Sequence, residues 1–221
     1  SVHWVETEKR IKTKIDTSKI TIVQGFIAGD LNGNTTTLGR EGSDFTAGIF
    51  AYCLDAESLT IWKDVSGILN ADPREFKDPQ LLEQISYEET IEMAFYGASV
   101  IHPKTIKPIQ NKKIPLIVRS FKNLNSKGTK VTNKAEMIPN IPCYIVKKNQ
   151  VLVSIASLDF SFIVEENISQ IFKLFHKYQL KVNLIQNSAI SFSVCLDNNL
   201  NHFDQLFNEI KVLYNVSFVK N

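Results

Sequence analysis

Apolar and polar positions run along this chain in blocks whose period changes. Residues 20–28, ITIVQGFIA, form a β-branched run closed by Gly29 and Asp30, which predicts a buried strand. A polar loop follows, with Asn32-Gly33-Asn34 as turn chemistry. From Ser43 the period lengthens: Phe45, Ile49, Phe50 and Leu54 fall on one side, so a helix is predicted, with Ser43 or Asp44 suited to cap it. LTIWKDV, residues 59–65, is again strand-like, and GILNADPREFKDP is a loop rich in Gly, Asn, Asp and Pro. Leu81, Leu82, Ile85, Ile91, Ala94 and Phe95 predict a helix from about Gln80 to Tyr96. A shorter helix follows Pro103, and IPLIVRSF, residues 114–121, is a strand. Strands alternating with helices predict a three-layer α/β domain with a largely parallel sheet.

Residues 122–141 are polar, contain Gly128 and Pro139, and sustain no period, which marks a linker or boundary. Beyond them the texture changes. VLVSIAS (151–157) predicts a strand, and ENISQIFKLFHKYQL a helix with Ile168, Ile171, Phe172, Phe175 and Tyr178 on one face. VNLIQN is a strand, and the next alternates strictly at Ile190, Phe192, Val194 and Leu196. Phe203, Leu206, Phe207, Ile210 and Leu213 mark a helix, and YNVSFV a last strand. The order βαββαβ is the ferredoxin-like pattern. Two domains are expected, 1–134 and 135–221.

Composition narrows the classes. With 43% hydrophobic and 10% aromatic residues in 221, the chain has material for real cores. A formal charge of +2, spread along the sequence, gives no electrostatic reason for nucleic acid or a membrane surface as partner. No apolar stretch reaches spanning length. Cys53, Cys143 and Cys195 stand far apart without a CxxC pair, which fits free thiols in a reducing cytoplasm. The histidines, His3, His102, His176 and His202, show no metal-ligand spacing. The start at Ser1 has neither an initiator methionine nor a signal peptide, so the chain is expected to be an excerpt.

Three stretches carry candidate chemistry. In TTTLGREGSDFTAG (35–48), Gly39 and Gly42 let backbone approach a ligand just where a helix begins. Unpaired N–H groups and the macrodipole there favour an anion, with Arg40 as a fork partner. The same residues also fit an ordinary capped helix. In WKDVSGILNADPRE, Asp64 follows a strand where α/β sheets place ligand contacts, and Asp72 and Arg74 lie on the overhanging loop. Either a nucleotide is held there or the loop is a solvated turn. AFYGASVIHPKT reads as a helix–turn–helix connection at Gly97 and His102-Pro103.

Taken in order and spacing, QGFIAGDLNGNTTTLGREGSDFTA, IWKDVSGILNADPRE, EMAFYGASVIHPKT and IPLIVRSF resemble the second half of the catalytic domain of the aspartate kinases. The βαββαβ segment resembles that family's regulatory ACT domain. The resemblance implies transfer of the γ-phosphoryl group of ATP, with Mg²⁺, to the side-chain carboxylate of L-aspartate, at the entry to lysine, threonine and methionine synthesis. It implies that Arg40 and Ser43 hold the substrate, Arg40 at its α-carboxylate, and that Phe26 shapes the pocket. Asp44 corresponds to the acidic residue that organises the phosphoryl-transfer centre, and Lys63, Asp64, Leu69, Arg74 and Ser99 fall at nucleotide positions.

Ser99 stands where many members have lysine, and Leu69 where an aromatic residue often packs. The family's amino-terminal half, with its catalytic lysine, is expected to be missing, as is a second ACT unit, so the chain alone is expected to be inactive. The resemblance further implies an amino-acid effector, lysine or threonine, at Phe160, Ile163, Glu165, Val182 and Asn183, and a homodimer or higher oligomer formed through ACT units. Two other readings fit parts of the pattern: a non-catalytic regulatory subunit, and a sister amino-acid kinase.

Overall fold

In the computed structural model, which describes residues 2–98, 100–159, 161–198 and 200–220, the chain divides into two units, Ser1–Val146 and Lys147–Asn221. The boundary falls at Val146 and not at 134, because Met137, Ile141, Cys143 and Ile145 pack on the core of the first unit.

The first unit opens with α1 (Trp4–Lys14). A hairpin, β1 (Ile27–Gly29) and β2 (Thr35–Thr37), leads into α2 (Gly42–Cys53). Then come β3 (Leu59–Lys63), β4 (Gln84–Ser86), α3 (Tyr87–Tyr96), α4 (Pro103–Asn111), β5 (Leu116–Ser120) and β6 (Thr129–Thr132). The four-stranded sheet runs β3-β5-β6-β4. Its β3–β5 and β4–β6 pairings are parallel and its β5–β6 pairing antiparallel, so the sheet is mixed with parallel contacts prevailing. Leu82, Ile85, Tyr87, Ile106, Ile109, Leu116, Val118 and Val131 bury all of their surface in its core. Helices α2 and α4 meet at Gly48, where a Cβ would stand 3.0 Å from the Thr105 carbonyl oxygen.

Four local expectations change. Residues 20–25 form no strand: only Ile27–Gly29 pair, and Ile20 and Ile22 are 98% and 94% exposed. A β-branched run becomes a strand only when another strand pairs with it, and no named strand among the described residues pairs with 20–25. The helix expected from Gln80 starts at Tyr87, because residues 84–86 pair with β6. Its cap is Ser86, whose Oγ accepts the Glu89 N–H at 3.0 Å. The segment expected as a linker contains β6, whose Thr129 and Val131 are fully buried; four residues are too few to display a period. Helix α1, absent from the apolar pattern, carries Glu6–Arg10 and Glu8–Lys12 pairs at i,i+4 spacing, while Ile11 packs with Ile49 and Cys53 of α2.

The second unit is β7 (Gln150–Ala156), α5 (Glu165–Lys177), β8 (Val182–Asn187), β9 (Ser191–Asp197), α6 (Leu200–Ile210) and β10 (Asn215–Lys220). Its sheet runs β10-β7-β9-β8 with every pairing antiparallel. This is the βαββαβ ferredoxin-like arrangement. Val151, Val153, Ile155, Phe192, Val194 and Leu196 alternate inward against Ile171 and Phe175 of α5 and Phe203, Leu206 and Ile210 of α6.

Candidate functional site

The β1–β2 hairpin delivers the chain to the start of α2. Asp30 closes its turn, Oδ1 accepting the N–H groups of Asn32 and Asn34 at 2.9 and 2.8 Å. The Asn34 side chain and these backbone donors hold its carboxyl below the usual range. Gly39 and Glu41 then take left-handed backbone at φ 77° and 53°, and α2 begins at Gly42. The expected caps do not form. Glu41 is the capping residue without a side-chain hydrogen bond to the helix, and Ser43 and Asp44 lie inside the first turn. The leading N–H groups of α2 therefore have no capping side chain, the arrangement that favours an anion. Glu41 Oε2 is shielded from solvent and has no hydrogen-bond partner among the described residues.

Phe26 sits over this helix start. It holds φ 74°, a conformation that costs a bulky residue about 1–3 kcal/mol. Two hydrogen bonds keep it there: its N–H reaches Thr46 Oγ1 at 3.0 Å, and its carbonyl accepts the Leu38 N–H at 2.9 Å. A Cβ on Gly42 would come within 2.7 Å of the Phe26 ring, so only glycine admits this contact. Ser43 and Arg40 are exposed beside it. A cleft of about 540 Å³ runs along α2, lined among others by Gly25, Ser43, Thr46 and Phe50.

Lys63 ends β3, and its Nζ lies 2.6 Å from Asp44 Oδ2, with the two side chains 24% and 17% exposed. This pair joins the start of α2 to the carboxyl end of a parallel strand, the position where open α/β sheets gather ligands. Asp64 follows, exposed. The local sequence marks both residues as candidates and carries no sign that they pair. The signal available was their shared topology, each lying at one end of the crossover that joins α2 to β3.

The loop from 67 to 83 carries the other nucleotide candidates. Leu69 is a hairpin residue, bridged to Leu81 and partly buried. Arg74 forks onto Asp72, Nη2 to Oδ2 at 2.7 Å and Nε to Oδ1 at 3.0 Å, with its side chain 77% exposed. Ser99 lies outside the described residues.

In the second unit the effector candidates separate. Phe160 lies outside the described residues. Ile163 belongs to the core, 6% exposed, and only its backbone N–H faces a loop, bonding the Ala189 carbonyl at 2.9 Å. Its side chain is thus unavailable to a ligand, because the chain entering α5 must seal the sheet end. Glu165 is exposed in the first turn of α5. Val182 and Leu184 bracket a register shift in β8, and Asn183 is the extra residue. Its amide is fully committed: Nδ2 donates to Gln150 Oε1 at 2.6 Å and Asp197 Oδ1 at 2.7 Å, and Oδ1 accepts from Lys147 Nζ at 2.7 Å. Burial pushes the Asp197 carboxyl up, but hydrogen bonds from Gln150, Lys147 and Asn183 outweigh it and hold it at about 2.

Among the described residues no three His, Cys, Asp or Glu side chains converge on a metal position, and no helix is long and apolar enough to cross a membrane.

Comparisons with known proteins bear on the family and the fold. The model of the amino acid kinase family matches residues 2–120. The lysine-sensitive aspartokinase 3 of Escherichia coli is 37% identical over 178 residues, covering 80% of this chain and 39% of that protein. Among solved structures, the aspartate kinase of Clostridium acetobutylicum superposes with a TM-score of 0.88 at 25% identity, over 100% of this chain and 52% of that one. E. coli aspartokinase III in complex with lysine and aspartate gives a TM-score of 0.70 at 34% identity, over 89% of this chain and 45% of that one. The chain thus spans between about two fifths and one half of the length of these relatives.

Proposed function

Because this chain belongs to the amino acid kinase family, we propose that its first unit is the part of an aspartokinase catalytic domain that grips L-aspartate and one side of ATP. The observation that carries the reading is the Lys63–Asp44 pair, 2.6 Å apart, at the start of α2. In the transfer, a β-carboxylate oxygen of aspartate forms a bond to the γ-phosphorus while the bond from that phosphorus to the β,γ-bridging oxygen breaks, and ADP leaves. Such a step needs positioning and charge neutralisation more than covalent help.

This chain supplies both. Arg40 forks the α-carboxylate, the uncapped amides of α2 and Ser43 face the anion, and Phe26 closes one wall. Asp44 holds the Lys63 ammonium at the reacting end, where its charge balances that building on the phosphoryl oxygens. Lys63, Asp64 and Arg74 take the nucleotide side. Among the described residues no three carboxylates converge on a metal position; in this reading Mg²⁺ arrives with the nucleotide, held mainly by its phosphates.

A structure of E. coli aspartokinase III in complex with aspartate and ADP exists for a relative 33% identical, and it supports this pairing of ligands. Titration calorimetry of the 221-residue chain tests the reading. L-aspartate is expected to bind saturably and to lose about tenfold in affinity in Arg40→Ala, the loss of one charge-assisted fork. Equal or tighter binding of L-glutamate, or an unaffected Arg40→Ala variant, refutes it.

For the second unit we propose an ACT-type regulatory role, with an amino-acid effector, lysine or threonine, at the loop 158–168 and at Val182, and self-association through this unit. The lysine-sensitive relative and the lysine-bound structure support lysine first. With the Asn183 amide already committed, the effector's contacts fall on backbone and on Glu165. A titration of lysine and threonine against the isolated heat of binding, with Glu165→Ala as control, checks this: an effector indifferent to Glu165→Ala removes the site.

A further inference from the structure

The loop between β3 and β4 is backed by a segment that none of the motifs includes. At its base the fully buried Thr129 uses one hydroxyl twice, accepting the Ile68 N–H at 2.8 Å and donating to the Leu82 carbonyl at 2.6 Å. The Leu82 N–H reaches the Ile68 carbonyl at 2.9 Å, and Leu69 faces Leu81. The next rung is Asn70, and all four of its polar atoms are used. Its N–H donates to the Gln80 carbonyl at 3.0 Å and its carbonyl accepts the Tyr144 N–H at 2.7 Å. Its side-chain Oδ1 accepts the Gln80 N–H at 2.7 Å while Nδ2 donates to the Pro142 carbonyl at 3.1 Å.

The side chain thus ties two segments together, and the task needs a donor and an acceptor on one carbon. Alanine supplies neither, and aspartate supplies only the acceptor. Two further contacts press the loop on the same segment: Ala71 is bridged to Tyr144, and the rings of Phe76 and Tyr144 stack with centroids 5.6 Å apart at 28°. Residues 142–144 are therefore a back-plate for the stretch that presents Asp72 and Arg74.

We propose that Asn70 is a positioning residue for the nucleotide: with residues 142–144 it holds the Asp72–Arg74 loop in its binding shape before ATP arrives. A loop already ordered loses little entropy on binding, so the tie appears in nucleotide affinity and not in the grip on the amino acid. The proposal rests on the nucleotide reading of this loop given above.

Calorimetric titration of the 221-residue chain with MgADP and with L-aspartate, alongside thermal melts, tests it. Asn70→Ala is expected to bind MgADP about tenfold more weakly, with unchanged L-aspartate affinity and a cooperative melt. Asn70→Asp, which keeps the bond to Gln80 and loses the one to Pro142, is expected to fall between and decides alone where the alanine variant does not fold. Wild-type MgADP affinity in the variants overturns the positioning role and leaves the nucleotide reading standing. Equal losses for both ligands overturn it in favour of general loosening. A wild-type chain that does not bind MgADP overturns both.

Discussion

Replacing Asp44 by Asn keeps the side chain's size and removes the charge that meets Lys63. The partners are 2.6 Å apart and retain 17% and 24% of their exposure, so the pair is neither solvated nor sealed. Opposite charges at 4 Å attract by about 4 kcal/mol at the effective dielectric near a protein surface. Desolvation of both groups and the ordering of a long lysine offset more than half of that. What remains is the net worth of a charge-assisted hydrogen bond, about 1.5–3 kcal/mol, with the lower end suiting partial exposure. Asp44→Asn is therefore expected to destabilise the first unit by about 1.5 kcal/mol, lowering its melting temperature by about 3–6 °C. A calorimetric double-mutant cycle with Lys63→Met isolates the pair from every other effect of either change, and a coupling of about 1 kcal/mol or more is expected. The single variants should also lose MgADP affinity, Lys63→Met more than Asp44→Asn. Strict additivity in the cycle would refute the reasoning, since it would mean that the two groups do not act on each other.

Three further outcomes follow from particular contacts. The Asp197 carboxyl is held at about 2 in the folded chain, below its unfolded value of about 3.9. Its stabilising effect is therefore complete above about pH 4 and is lost as pH falls toward 2, so Asp197→Asn should flatten the acid limb of the second unit's stability measured by circular dichroism. Burial first, and the neighbouring Glu88 second, push the Tyr87 hydroxyl up to about 12, and it donates to the Ile114 carbonyl. Tyr87→Phe leaves that carbonyl unsatisfied and should cost about 1–3 kcal/mol in denaturant unfolding. Gly42→Ala puts a methyl within 2.7 Å of the Phe26 ring, which must then leave the helix start. L-aspartate affinity should fall while MgADP affinity holds, and intact aspartate binding would remove Phe26 from the pocket.

The candidate residues of the first unit are legible in the sequence as separate stretches, and their juxtaposition is not. The stretch 35–48 and the WKD triplet stand out because turn chemistry, charge and a strand end coincide there, and these are local properties. That Lys63 closes on Asp44 depends on β3 lying beside α2, which no local pattern encodes. The effector candidates show the opposite failure. Asn183 looks like an exposed strand residue, yet a one-residue bulge turns its amide onto Gln150, Asp197 and Lys147. Ile163 sits in a loop sequence but fills the core.

The amino-acid sequence by itself determined α2, β3, β5 and the helix from Pro103 in the first unit and the βαββαβ order of the second, because side-chain period and capping act over a few residues. Only the tertiary structure decided that residues 20–25 are not a strand, that β6 and residues 135–146 belong to the first unit, and that Asn70 is clamped between Gln80 and Pro142. The reason is common to all three. Strand pairing and backbone satisfaction are settled between segments tens of residues apart in the chain, and a donor or acceptor carries no mark of the partner it will meet.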